Sequence, residues 1–144
     1  MPKLAKIVGS DWQIVDADGA YQTLEDWDGS SAVQLNCDVE AGPRLADAAA
    51  ISIEFPAFND GRALSLAVLL RTRYGYQGPL RAVGATHEDL VHYMVRCGFD
   101  EIEIPNDRNA DRFLELIAPY SEHYQGSVST PTPSYSRVSR GANA

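Results

Sequence analysis

Ile51 to Gly84 reads ISIEFPAFNDGRALSLAVLLRTRYGYQGPLRAVG. An apolar run ending at Phe55 turns through Pro56 and Ala57-Phe58-Asn59-Asp60-Gly61-Arg62 into a long apolar segment, and a second short run, Leu80 to Val83, follows. Strand, loop, helix and strand in that order form the unit that builds a parallel sheet. The spacing of Ala63, Leu66, Ala67, Leu70 and Tyr74 predicts a helix over about 60–74 with one buried stripe. Leu64, Val68 and Leu69 add apolar surface outside that stripe, which allows cover on a second side. Asn59 or Asp60 supplies an N-cap, Arg71 and Arg73 suit the negative C-terminal end, and Gly75 can take the left-handed conformation that closes a helix. The turn lies beyond the carboxyl end of a strand and at the amino end of a helix. Unpaired backbone N–H groups and the helix dipole favour anions there, and Arg62 makes the turn a candidate anion site.

Working outward, residues 1–30 read as a small β lead-in. Lys6–Val8 and Trp12–Val15 are strand-like, Asp16-Ala17-Asp18-Gly19 is a hairpin-type turn, and Tyr21–Leu24 can pair back. Ala32–Leu35 is a short apolar strand, followed by a short helix at Arg44–Ala49. After Leu80–Val83, Thr86-His87-Glu88-Asp89 is a near capping box for a helix with Leu90, Tyr93, Met94 and Cys97 on its inner stripe and Gly98 at its end. Glu101-Ile102-Glu103-Ile104 alternates in polarity, as an edge strand does. Asn106 or Asp107 then caps a last helix with Ala110, Phe113, Leu114 and Ile117 inward, which Pro119 must end or kink. The expected fold is α/β: a single domain over 1–125, with about four βα units (32–125), a mainly parallel sheet, and either a small doubly wound or a half-barrel arrangement. Residues 126–144 hold one Tyr and two Val among Ser, Thr, Pro, Gly and Arg, too little apolar surface to offset ordering, so a disordered tail is expected.

The chain has 144 residues and a formal charge of −8, which disfavours nucleic acid and anionic membranes as partners and favours a basic protein surface. No apolar run approaches the roughly 20 residues that span a bilayer, and MPKLAKIVGS lacks a signal-peptide core, so a cytoplasmic protein is expected. Cys37 and Cys97 are far apart and form no metal, haem or redox motif, so no cofactor and no metal is expected.

Ligands of such folds gather at the carboxyl ends of the strands. That edge collects Asn36, Cys37 and Asp38, then Phe58 to Arg62, then Thr86 and His87, then Asn106 to Arg108. Asp60 reads as a general base or metal ligand, or as a plain helix cap, and Arg62 as an oxyanion grip or as the partner of a surface carboxylate. Phe58, Asn59, Gly61, His87, Asn106 and Arg108 complete the candidate ligand- or partner-binding set. His87 and His92 read as solvent-facing helix residues ahead of a metal site or an acid–base pair, Cys97 as an inert core thiol, and Arg81 and Arg96 as solvent-facing charges on apolar elements. No triad, Gly-rich phosphate loop or HExxH specifies a reaction.

Three stretches together carry a resemblance: Phe55 to Arg62 (FPAFNDGR), Leu70 to Gly84 (LRTRYGYQGPLRAVG) and Met94 to Asp100 (MVRCGFD). They resemble an uncharacterised proteobacterial family, a domain of unknown function often labelled an oxidoreductase and encoded beside assimilatory sulfite reductase. Asp60, Gly61, Arg62, Arg71, Tyr74, Gly75, Arg81, Asp89, Arg96 and Gly98 match its pattern, whereas Leu64 and Leu90 depart from it. The resemblance implies an accessory protein of sulfite reduction in sulfate assimilation and cysteine biosynthesis, with sulfite reductase as partner. The alternative is a small enzyme or anion-binding module for a sulfur-containing or phosphorylated metabolite, using Asp60 and Arg62. The residues themselves contain no nucleotide fingerprint, flavin motif or cluster cysteines that would make the chain an oxidoreductase.

Overall fold

The computed structural model describes residues 3–9, 11–57 and 61–117. Phe58, Asn59 and Asp60, the Pro119 position and the tail at 126–144 lie outside them. Among the described residues seven strands occur, the first four in succession and the rest interleaved with helices: β1 (Lys3–Val8), β2 (Asp11–Asp16), β3 (Gln22–Thr23), β4 (Val33–Asn36), β5 (Ile51–Phe55), α1 (Gly61–Thr72), β6 (Leu80–Gly84), α2 (Val91–Cys97), β7 (Glu101–Ile104) and α3 (Ala110–Ile117). They form one α/β sheet in the order β2-β1-β7-β6-β5-β4-β3. Strands β3 to β7 are parallel and laid down in sequence order, while β1 runs antiparallel to both β7 and β2.

The register explains the two faces. Val33, Ile51 and Leu80 form one row, and Leu35, Ile53, Ala82, Ile102 and Ala5 the next on the same face. These residues are buried in one core with Ala63, Leu66, Ala67 and Leu70 of α1, Val91 and Met94 of α2, and Phe113 of α3. Phe55 meets Phe99 there, ring centroids 5.7 Å apart and tilted by 52°. Residues of the other parity form a polar row, Gln34, Ser52, Arg81, Glu101 and Lys6, on the face without helices.

That second face is crossed by the chain itself. Asp16 and Gln22 end strands at opposite edges of the sheet, yet the residues between them reach only about 21 Å when fully extended. A flat seven-stranded sheet would set its edges about 29 Å apart. The sheet therefore curls around 17–21, as in part of a βα barrel. Arg81 anchors the crossing: its guanidinium donates to Asp18 O at 2.9 Å, lies 5.1 Å from the Tyr21 ring centroid, and pairs with Glu101 at 2.8 Å.

Several expectations change. The antiparallel hairpin is made by β1 with β2, not across Asp16–Gly19, and Tyr21–Leu24 does not pair back: Gln22–Thr23 joins β4 in parallel at the far edge. The helix expected at Arg44–Ala49 is a 3-10 turn, Pro43–Asp47, so the first βα unit lacks an α-helix. Glu101–Ile104 is an interior strand, because its alternation reflects Glu101 joining the buried polar row and not an edge. Arg81 is likewise buried, not solvent-facing. His87 instead of Thr86 caps the second helical segment, accepting from Asp89 N at Nδ1, which shifts the inner face so that Tyr93 is exposed and Val91 buried. Asn109, rather than Asn106 or Asp107, caps α3. On α1 the stripe Ala63, Leu66, Ala67 and Leu70 is buried as its period requires, while Leu69 is exposed.

Loops beyond the helices are fixed by two side chains. Arg71 donates from Nε to Gly98 O and from one terminal nitrogen to Tyr76 O and Gly78 O, all within 2.9 Å. Tyr76 shares its hydroxyl proton between Ala48 O and Pro79 O. Burial pushes the Tyr76 phenol up to about 12. A raised phenol contributes stability that is whole below pH 10 and lost as pH rises toward 12. Ultraviolet titration should therefore show Tyr76 as a late-ionising phenol, beside Tyr21, which burial also raises, and alkaline unfolding in the same window. Tyr76→Phe removes that late phenol and loses about 1 kcal/mol at neutral pH; an unchanged alkaline profile would contradict this.

Candidate functional site

The curled sheet presents a cleft of about 240 Å³ at the carboxyl ends of β4 and β5, lined by Asn36, Cys37, Asp38, Glu54, Pro56 and Arg62. Each reaches it for a local reason. Asn36 and Glu54 are register partners of the parity that faces away from the helices. Cys37 and Asp38 follow directly as β4 ends, and Pro56 ends β5, since proline offers no N–H to continue a ladder. Arg62 projects from the first turn of α1. Gly84 brings the end of β6 against this corner: at φ 88° it lets Ala85 N donate to Phe55 O at 2.8 Å.

Asn36, Asp38, Glu54 and Arg62 are exposed, and Cys37 is buried at the cleft wall. The lining carries two carboxylates, one guanidinium, one amide and one thiol. Such a set can hold a ligand bearing both charges, or a cationic group, better than a doubly charged anion.

The sequence-derived candidates divide accordingly. Arg62 stands in the cleft with Asn36, Cys37 and Asp38, as the carboxyl-edge topology predicts. Gly61 opens α1 beside it and is exposed. His87, Asn106 and Arg108 belong to the ends of β6 and β7 and do not line the cleft. His87 is a helix cap, Arg108 pairs with Glu88 at 3.4 Å, and Asn106 is an exposed turn residue. Phe58, Asn59 and Asp60 lie outside the described residues. Glu54 and Pro56 are not among the candidates read from sequence, although the alternation in Ile51-Ser-Ile-Glu-Phe already turns Glu54 away from the core.

Among the described residues no group of three or more His, Cys, Asp or Glu side chains is placed to hold a metal ion, and no helix is long and apolar enough to cross a membrane. Burial raises the Cys97 thiol, which favours its protonated, unreactive form.

Comparison with curated proteins and with solved structures gave no match. Residues 32–135 match the family model described as bacterial protein of unknown function (DUF934), a span that takes in β4 to β7 and α1 to α3, and the chain belongs to this family.

Proposed function

We propose that this chain is a cytoplasmic accessory protein of assimilatory sulfite reduction, acting with sulfite reductase in the route to sulfide and cysteine. The observation that carries the reading is the joint resemblance of Phe55–Arg62, Leu70–Gly84 and Met94–Asp100 to an uncharacterised family, a resemblance that implies a place beside that enzyme. Charge supports it: the chain carries −8, and Asp38, Glu40 and Glu54 are exposed at or near the carboxyl edge, a surface suited to a basic face of a partner. Redox chemistry then belongs to the partner.

Calorimetric titration against the sulfite reductase haemoprotein of the same cell tests this. Saturable binding is expected, and Asp38→Lys with Glu40→Lys should weaken it roughly tenfold at low salt and far less at 1 M, where the Debye length is about 3 Å. Absence of binding between folded components, together with normal growth of a deletion strain on sulfate as its only sulfur source, would remove the reading.

A second reading is favoured by the position of Arg62 in the cleft: a ligand-binding module, or small enzyme, for a small metabolite at the Asp60/Arg62 loop. The neighbouring carboxylates of Asp38 and Glu54 argue against free sulfite, sulfate or phosphate as the preferred ligand.

A further inference from the structure

The geometry points to a small zwitterionic α-amino acid as the ligand of the cleft, its carboxylate held by Arg62 and its ammonium by Asp38 and Glu54. This rests on the second reading above, that the cleft is a ligand site, and is independent of the partner.

Charge matching in an open cleft selects the ligand class. A doubly charged anion on Arg62 would lie beside two carboxylates in the same 240 Å³. A simple cation on Asp38 and Glu54 would lie beside a guanidinium. A zwitterion with its ammonium and carboxylate on the same carbon satisfies both signs within one small molecule. The Arg62 side chain already has an interaction of its own, but a guanidinium has five N–H donors and can hold a neighbour and a ligand carboxylate together. Asn36, fixed beside Glu54 by the strand register, offers a donor and an acceptor at the same wall. Pro56 and Cys37 supply the less polar surface for a short side chain. The volume lies below the roughly 300–1,000 Å³ of sites for drug-sized ligands, so the cleft contacts only a small group of atoms at a time. With most of the lining exposed, affinity should be modest, with Kd on the order of 1 mM.

Nuclear magnetic resonance titration of the full chain tests this, with alanine as ligand, acetate and methylamine as its two halves, and sulfate as the competing class. Alanine should saturate shifts in the amides of Asn36, Cys37 and Asp38, and each half-ligand should bind at least tenfold more weakly. Arg62→Ala and Glu54→Gln, both at exposed positions, should each weaken alanine about tenfold with the fold retained in the remaining spectrum. Sulfate saturating through Arg62 with no response to alanine would overturn the zwitterion inference while leaving a ligand site in place. No response to any of the four compounds would overturn the inference and the ligand-site reading together. Alanine binding indifferent to both substitutions would overturn the assignment to this cleft.

Discussion

Arg81→Met is expected to destabilise the fold by about 4 kcal/mol, measured as a lower urea midpoint, because it leaves one half of a buried ion pair behind. Arg81 and Glu101 meet at 2.8 Å with side chains only 8% and 5% exposed. Without the guanidinium, Glu101 keeps only Lys6, 3.7 Å away and itself 41% exposed. Asp18 O loses its donor at the same time, and with it the anchor for the crossing at 17–21. Limited proteolysis within 17–21 should therefore accelerate in the variant beyond what the global loss explains. The double replacement Arg81→Met with Glu101→Leu removes the stranded charge and should recover most of the stability, since apolar groups of similar size often replace a buried pair without loss. A single variant within about 1 kcal/mol of the parent would show that the pair is not the anchor described here.

Gly84→Ala should lower stability by about 3 kcal/mol, from a left-handed backbone that disfavours a Cβ by about 1–2 kcal/mol and from a collision that cannot relax. A Cβ at this position would stand 2.7 Å from Phe55 O and 3.2 Å from Glu54 Cγ. The first neighbour is backbone, so the ends of β5 and β6 must separate, and the hydrogen bond from Ala85 N to Phe55 O is lost with them. Gly75 provides the control, having φ 66° but no atom within 4 Å of the place a Cβ would take; Gly75→Ala should cost only about 1 kcal/mol. Equal losses in thermal unfolding at the two sites would mean that backbone conformation alone matters. Because Glu54 is one of the atoms displaced, Gly84→Ala should also weaken any ligand of the cleft, which separates this glycine from one that serves only a turn.

Much of the local structure was readable before the fold was known. The 3.6-residue period in Ala63, Leu66, Ala67 and Leu70, the closing glycines Gly75 and Gly98, and the apolar run Ile51–Phe55 each depend on neighbours in sequence, and each reappears in the structure. The carboxyl-edge rule likewise placed Arg62 near Asn36, Cys37 and Asp38, because it follows from parallel strands alone. His87, Asn106 and Arg108 share that edge but not the cleft, since the rule gives the end of the sheet on which a residue lies and not its lateral distance across the strands.

Period and parity are properties of the chain, and by themselves they determined α1, the apolar strands Ile51–Phe55 and Leu80–Val83, and which residues of a strand share a face. What lies over a face is set by contacts between residues far apart in sequence, and only the tertiary structure decided those. Alternation in Glu101–Ile104 fits an exposed edge and a buried polar row equally well; Arg81, twenty residues earlier, settles it by donating to Glu101 across the β6–β7 pair. The same holds for Gln22–Thr23, whose place at the far edge is set by parallel pairing with β4, and for Glu54, whose parity turns it from the core while the end of β4 and the start of α1 close a cleft around it.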